Sequence, residues 1–305
     1  MIKNQYYNKG YVVLRGVLTK SEVNSIRDTT NKELNEFRGQ KGIDYVLKRQ
    51  DLWELSLNSK ILNALNDIFN SKIHLINDFD FQINNPKNTK KRPGWHIDAG
   101  SQLDRLDKIL FSQEYKFAKI GVYMQDNSED FGGGIDVEIA GHKSFQKFKS
   151  KKSALLYYGL DRAIFSKFRK KTRLDIDAGD VVIFDARLPH ASSAPKQDLD
   201  NIPSAKRKIS LYWSAFGNQN SVTAWRTDQL LSAFNTLGKQ NQKFFANTLQ
   251  YSYPTSYPKK YTKAVESIKE VVIVSPSCDV TSFFSAYCKN NNINNFEIPF
   301  DSKKY

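Results

Sequence analysis

Cysteine is scarce in this chain, and long apolar runs are missing. Cys278 and Cys288 are its 2 cysteines among 305 residues. Two thiols in a chain of this length do not make a disulfide framework, so we expect a reducing compartment. No apolar segment approaches the ~20 residues that cross a bilayer, and the first residues have no long apolar run after a basic stretch, as a signal peptide would. These absences predict a cytoplasmic protein without a membrane span.

Apolar and aromatic residues, by contrast, are plentiful. Hydrophobic residues form 40% of the chain and aromatic residues 13%, including 20 Phe and 15 Tyr. This composition can build a full core and excludes global disorder. Because sheet sandwiches and barrels reach this length as one unit, we expect one principal domain with extensions.

The chain also carries a large excess of basic residues. Its net charge of +14 suits an anionic partner such as a phosphate, a coenzyme A thioester, a nucleotide sugar or an acidic carrier protein. The densest basic stretch, Lys167–Arg173, has no recognisable nucleic-acid-binding module around it. We therefore interpret it as a solvated face and expect no nucleic-acid partner.

The hydrophobic pattern divides the chain into three parts. Thr19 and Glu22 form a capping box, which predicts a helix from about Ser21. Leucines at helical spacing predict a second helix over residues 52–69. Short alternating or apolar runs then predict strands at 79–83, 120–124, 135–139, 154–158, 181–184 and 209–213. A helical pattern returns at 230–249, and one strand-like run follows at 271–274.

Many short strands without long intervening helices predict a mainly β protein, an antiparallel sandwich or barrel with flanking helices. We expect residues 1–75 to pack on this core, residues 76–215 to form the catalytic core, and residues 216–305 to form a helical extension.

Two of the 4 histidines stand in patterns that suit a metal site. In a strand, His96 and Asp98 share one face because side chains alternate, and His190 follows the apolar run 181–184. Two histidines and a carboxylate form the facial triad that holds iron(II) with positions left open. A His-x-Asp pair also arises by chance, and a histidine beside a carboxylate is an ordinary core arrangement. The spacing alone leaves both interpretations open.

Several motifs resemble those of the phytanoyl-CoA dioxygenase family, in the same order. They are Tyr7–Leu18 followed by Glu22 and Val23, the pair His96 and Asp98, the Gly-rich Gly132–Ser144, and Gly179–His190. The resemblance spans about residues 5–215. It implies a double-stranded β-helix of the jelly-roll or cupin type, with iron(II) held by His96, Asp98 and His190. It also implies 2-oxoglutarate as cosubstrate and dioxygen as oxidant.

Members of this family pair the distal carboxylate of 2-oxoglutarate with a cation on a late strand. Arg207 is the chemical favourite, because a planar guanidinium binds carboxylate through two parallel bonds, and Lys206 is second. Strand parity disagrees: if Ile209 faces outward, Lys206 and Lys208 face inward. His142 lies in the matching structural loop, so we interpret it as structural rather than as a third metal ligand.

The resemblance implies an iron(II)- and 2-oxoglutarate-dependent hydroxylase acting on a small-molecule or carrier-linked substrate, which the net charge suggests is anionic. Asp98 favours hydroxylation, because related iron halogenases lack this carboxylate. Desaturation, cyclisation and epimerisation begin from the same hydrogen abstraction. Two alternatives stay open: a non-catalytic binding protein on the same fold, and a cupin-type metalloenzyme that does not use 2-oxoglutarate.

Overall fold

The N-terminal part of the chain is mainly helical. This computed structural model describes residues 1–33, 40–41, 43–83, 94–99, 108–112, 114–147, 169–198, 201–218, 220–221 and 271–274. The α-helices are α1 (Ile2–Lys9), α2 (Lys20–Glu33), α3 (Ile43–Leu47), α4 (Gln50–Trp53) and α5 (Ser59–Phe69). None of the described helices has the length and apolar character of a membrane span.

A capping box starts α2, as the sequence predicted. The Glu22 amide donates to Thr19 Oγ1 at 3.2 Å, and the Thr19 amide donates to Glu22 Oε2 at 2.8 Å. This reciprocal pair satisfies two amides that have no partner inside the helix. The predicted helix start near Ser21 is therefore confirmed.

The helix predicted over 52–69 is wrong as a single element. The chain leaves helical geometry at Asn58, whose ψ is 128°. The Asn58 side chain accepts a hydrogen bond from the Lys60 amide at 3.0 Å and so caps a new helix, α5. The capping preference of asparagine outweighs the continuous leucine spacing on which the prediction rested.

Ten strands follow or accompany these helices in the described residues. They are β1 (Tyr11–Leu14), β2 (Gln40–Lys41), β3 (Ile73–Ile83), β4 (Phe117–Tyr123), β5 (Ile135–Glu138), β6 (Lys171–Arg173), β7 (Val181–Asp185), β8 (His190–Ser192), β9 (Ile209–Phe216) and β10 (Val271–Val274). The larger sheet has the order β1-β7-β4-β9-β3-β10, with β2 also paired to β3. The smaller sheet has the order β6-β5-β8. Among the described strands, only β10 pairs in parallel, along β3.

Most of the predicted strands are confirmed, including the run at 271–274, which pairs with β3. The short strands β6 and β8 were not predicted as separate elements, because three residues carry too little periodicity. The strand expected at 154–158 and the helix expected at 230–249 lie outside the described residues. Since most of 216–305 lies there too, the three-part division stays a proposal.

The two faces of the larger sheet differ sharply in polarity. Its outer face is apolar and packs with Ile61 and Leu65 of α5 in one buried cluster. That outer face includes Phe79, Phe81, Ile120, Val122, Leu211 and Trp213. Phe81 and Trp213 are fully buried, and burying such a side chain stabilises the fold by about 1.5–3 kcal/mol.

The inner face of the larger sheet is partly polar and lies against the smaller sheet. Tyr123 and Val182 of the larger sheet share a buried cluster with Ile135 and Val137 of the smaller one. Two antiparallel sheets packed in this way form a jelly roll, which confirms the mainly β fold class. The polar inner positions of β3, β4 and β9 face the interior, where the candidate site lies.

Candidate metal centre

The structure brings His96, Asp98 and His190 together. Asp98 Oδ1 lies 3.7 Å from the Nε2 atoms of both His96 and His190. One ligand atom from each residue lies within 4.8 Å of the other two. Metal–ligand bonds are about 2.0–2.3 Å long, so atoms separated by up to about twice that length can share one ion. Among the described residues, this is the one such group of histidine, cysteine and acidic side chains.

Backbone pairing between distant segments creates this convergence. The amide of His96 donates to the carbonyl of His190, and the amide of His190 donates to the carbonyl of His96, both at 2.9 Å. The two imidazole rings consequently lie with their centroids 4.3 Å apart. Asp98, two residues after His96, faces the same side, and the Ala99 amide is fixed to the Ala186 carbonyl at 3.0 Å.

Hydrogen bonds from Nδ1 to backbone carbonyls orient both imidazole rings. His96 Nδ1 lies 3.0 Å from the Gly94 carbonyl, and His190 Nδ1 lies 2.9 Å from the Leu188 carbonyl. A carbonyl only accepts, so in a neutral ring these contacts assign the proton to Nδ1 and leave the Nε2 lone pair free. Burial lowers the pKa of His190, which favours the neutral ring that binds a metal.

The site is open on one side. The side chain of His96 is 55% exposed, that of Asp98 22% and that of His190 9%. A metal bound here would be held from the protein side and would keep positions open, as catalytic metal sites do. The cleft beside the triad is lined by Asp80, Gln82, Lys119, Gly134, Ile135, Phe184, Ala191, Ser192 and Tyr212.

The two cations favoured from the sequence as cosubstrate anchors lie away from this cleft. Arg207 Nε donates to the Ile202 carbonyl at 3.3 Å, and Lys206 Nζ lies 3.1 Å from Asp126 Oδ2. Neither of these contacts involves a residue that lines the cleft. A short 3-10 helix, Ser204–Lys206, precedes β9, so strand alternation does not extend back to Lys206.

Lys208 instead faces inward. It is only 5% exposed, and its Nζ donates to Gln82 Oε1 at 3.0 Å and lies 3.5 Å from Ser192 Oγ. Gln82 and Ser192 both line the cleft. Ile209 and Leu211 belong to the outer cluster, so the parity argument predicted the direction of Lys208 correctly. The anchoring role of Arg207 stays a prediction, and the placement favours Lys208.

Lys119 is a cleft residue that the sequence analysis did not identify. Its Nζ donates to Asp78 Oδ2 at 2.8 Å and to Ser214 Oγ at 3.0 Å. Burial alone would lower the pKa of Lys119, but the carboxylates of Asp78 and Asp98 outweigh burial and raise it. The signal in the sequence was a lysine inside the apolar run 117–123, which is costly unless the lysine is paired.

Two other titratable residues of the matching motifs lie outside the cleft. His142 is fully buried, and its Nε2 lies 3.1 Å from the Tyr7 carbonyl, in accord with a structural role. Asp185 forms a buried ion pair with Arg187, with Asp185 Oδ2 2.7 Å from Arg187 Nη2. Asp185 is therefore not a second carboxylate for the metal in this arrangement.

Comparison with known proteins identifies similar folds. No family model and no curated protein sequence matches the chain. The solved structure of the α-ketoglutarate-dependent epimerase SnoN, from nogalamycin biosynthesis, has 16% identity and a TM-score of 0.51, with 70% of this chain and 81% of SnoN covered. HygX from Streptomyces hygroscopicus, with nickel and 2-oxoglutarate bound, has 15% identity and a TM-score of 0.52, with 71% and 87% covered. At these identities the comparison establishes the fold, and the chain has the double-stranded β-helix fold of these structures.

Proposed function

We propose that this chain is an iron(II)- and 2-oxoglutarate-dependent dioxygenase, similar to the phytanoyl-CoA dioxygenase family, that hydroxylates or otherwise oxidises a small or carrier-linked organic substrate. The observation that carries the proposal is the grouping of His96, Asp98 and His190 within 4.8 Å at the edge of an open cleft. SnoN and HygX share this fold. SnoN is described as an α-ketoglutarate-dependent epimerase, and the HygX structure contains bound 2-oxoglutarate.

The donor set fits iron(II). Two neutral imidazoles and one carboxylate on one side of an ion are the facial triad of non-haem iron(II) oxygenases. The Gly94 and Leu188 carbonyls fix the rings with Nε2 toward the common point, and such supporting bonds strengthen metal binding. His96, Asp98 and His190 would therefore hold the ion, leaving its exposed side for the cosubstrate and dioxygen.

The cleft also fits a dicarboxylate cosubstrate. Lys208 presents a buried ammonium next to Ser192, two residues beyond the ligand His190 on β8. An ammonium pairs with a carboxylate as a point charge, without the two parallel bonds of a guanidinium. We assign the distal carboxylate of 2-oxoglutarate to Lys208, with Ser192 as a second donor.

When bound together, iron(II), 2-oxoglutarate and dioxygen supply the oxidation of a substrate C–H bond, with release of succinate and carbon dioxide. The residues of this chain orient the participants and limit access of water. Phe184 and Ile135 contribute apolar lining beside the triad, which keeps that wall of the cleft dry. Asp98 occupies the ligand position that halogenases leave open, so hydroxylation is our assigned outcome. Because SnoN is an epimerase on this fold, the fold alone does not fix that outcome.

Succinate formation tests this function. Iron(II)-reconstituted protein, supplied with 2-oxoglutarate, ascorbate and dioxygen, should release succinate slowly without substrate and faster when a substrate is added. The Asp98→Ala protein should release none above background. Metal binding without succinate would favour the cupin-type alternative. Absence of metal binding would favour the non-catalytic alternative and would overturn the proposal.

A further inference from the structure

The inner face of the larger sheet carries buried polar atoms that the proposed chemistry does not use. In the described part of the chain, Asp78 Oδ1, Asp80 Oδ1 and Ser210 Oγ are buried and have no hydrogen-bond partner. Leaving a buried acceptor without a donor costs about 1–3 kcal/mol, more for a charged group. A buried carboxylate oxygen of this kind is satisfied by water, by an ion or by a donor group of a ligand.

These atoms belong to one inward-facing surface. Asp78 and Asp80 alternate with the outward-facing Phe79 on β3. Ser210, fully buried on β9, pairs in register with Gln82 of β3. Asp80 and Gln82 line the same cleft as His96 and Asp98. A group bound to the Asp80 carboxylate would consequently share this cleft with the metal ligands.

The Asp80 carboxylate is held in place by its own hydrogen bonds. Gln82 Nε2 donates to Asp80 Oδ2 at 2.7 Å, while Gln82 Oε1 accepts from Lys208 at 3.0 Å. The network thus orients one oxygen of Asp80 and leaves Oδ1 without a donor. A preorganised acceptor of this kind binds an incoming donor with little loss of side-chain entropy.

The charges around Asp80 indicate which kind of donor would bind its carboxylate. Asp78 pairs with Lys119, whose Nζ lies 2.8 Å from Asp78 Oδ2, while Lys208 bonds to Gln82 rather than to Asp80. The described residues therefore leave the negative charge of the Asp80 carboxylate without a direct cationic partner. A cation compensates it, and an ammonium supplies hydrogen-bond donors at the same time.

Resting on the proposed function, we infer that the substrate carries a protonated amine and that the Asp80 carboxylate binds this amine beside the metal. The net charge of the whole chain suggested an anionic substrate, but the described lining of the cleft favours a cationic group at this position. An anionic or carrier-linked part of the substrate would lie outside the Asp80 subsite.

Binding of three matched probes tests this inference. Cyclohexylamine, cyclohexanol and cyclohexanecarboxylate have similar shapes and differ in charge. Saturation-transfer NMR titrations would be run on protein loaded with nickel and 2-oxoglutarate, which does not turn over, and again on metal-free protein. We expect cyclohexylamine to bind at least fivefold more tightly than either other probe, and Asp80→Asn to weaken it about tenfold.

The control is Asp130→Asn, which removes the same charge at an exposed position and should leave amine binding unchanged. Thermal unfolding would show that Asp80→Asn is folded. The inference would be overturned if cyclohexanecarboxylate or cyclohexanol bound to wild-type protein as tightly as cyclohexylamine, or more tightly. It would also be overturned if Asp80→Asn left the affinity for cyclohexylamine unchanged. If the wild-type protein did not bind nickel or 2-oxoglutarate, that result would count against the proposed function instead. The inference about the amine would still be tested, because the amine titration on metal-free protein needs neither.

Discussion

Substitution of Lys208 by alanine gives the sharpest test of how the cleft binds its cosubstrate. The Lys208 ammonium is 5% exposed and lies beside Gln82 and Ser192 of the cleft. Alanine removes the charge and its donors, but it leaves His96, Asp98 and His190 in place. The substitution therefore separates cosubstrate anchoring from metal binding.

The expected size of the effect follows from the bond that is lost. A hydrogen bond to a charged group contributes about 1.5–3 kcal/mol, and about 1.4 kcal/mol corresponds to a tenfold change in affinity. The Kd for 2-oxoglutarate should therefore rise about 10- to 150-fold. The upper part of this range applies if the carboxylate is buried with Lys208, since burial strengthens the pairing. The Kd for the metal should change less than about twofold, which is below 0.5 kcal/mol.

Isothermal titration calorimetry of 2-oxoglutarate into nickel-loaded protein measures this effect without turnover. Lys206→Ala and Arg207→Ala are matched controls, because both remove a positive charge from the neighbouring chain while their side chains lie at Asp126 and at the Ile202 carbonyl. Both variants should bind 2-oxoglutarate like the wild type. If Arg207→Ala lost the affinity and Lys208→Ala kept it, the assignment of Lys208 would be refuted, and the guanidinium favoured by chemistry would be the anchor.

Three further predictions concern the metal and the stability of the fold. Asp98→Ala should abolish succinate release and lower metal affinity at least tenfold, measured by calorimetry with nickel; full turnover would assign the metal to another carboxylate. Asp185→Asn should lower the free energy of unfolding by about 3–5 kcal/mol, because it leaves the Arg187 guanidinium buried without its charge partner; a urea-denaturation loss below 1 kcal/mol would contradict this. Burial alone would raise the pKa of Asp185, but Arg187 outweighs burial and lowers it. This stabilisation should therefore be present above about pH 4 and lost as the pH falls below it. In the Asp185→Asn protein, the free energy of unfolding should depend less on pH in this acidic range. Thr19→Ala should cost about 1 kcal/mol through loss of the capping box, and an unchanged urea midpoint would show that the cap is dispensable.

The sequence was most informative where one local rule acted alone. Alternation in 79–83 and 209–213 predicted strands whose apolar faces pack together, because a strand has a fixed period of two. The capping box at Thr19 predicted the start of α2, because both partners lie within one turn. Where two local rules competed, as at Asn58, the stronger capping preference divided the expected helix.

The sequence by itself determined which residue types were available for a metal: few histidines, and one of them two residues from Asp98 on the same face of an extended segment. Tertiary structure alone decided that His190 meets His96, because their pairing joins segments far apart in the chain. It also decided that the Lys208 ammonium contacts Gln82 and Ser192 of the cleft while Arg207 contacts the Ile202 carbonyl, since the short 3-10 helix Ser204–Lys206 sets where strand alternation begins. The pairing of Lys119 on β4 with Asp78 on β3, across the intervening strand β9, likewise has no local signature. Periodicity fixes which face a side chain occupies within one strand, but only the register between strands decides which side chains meet.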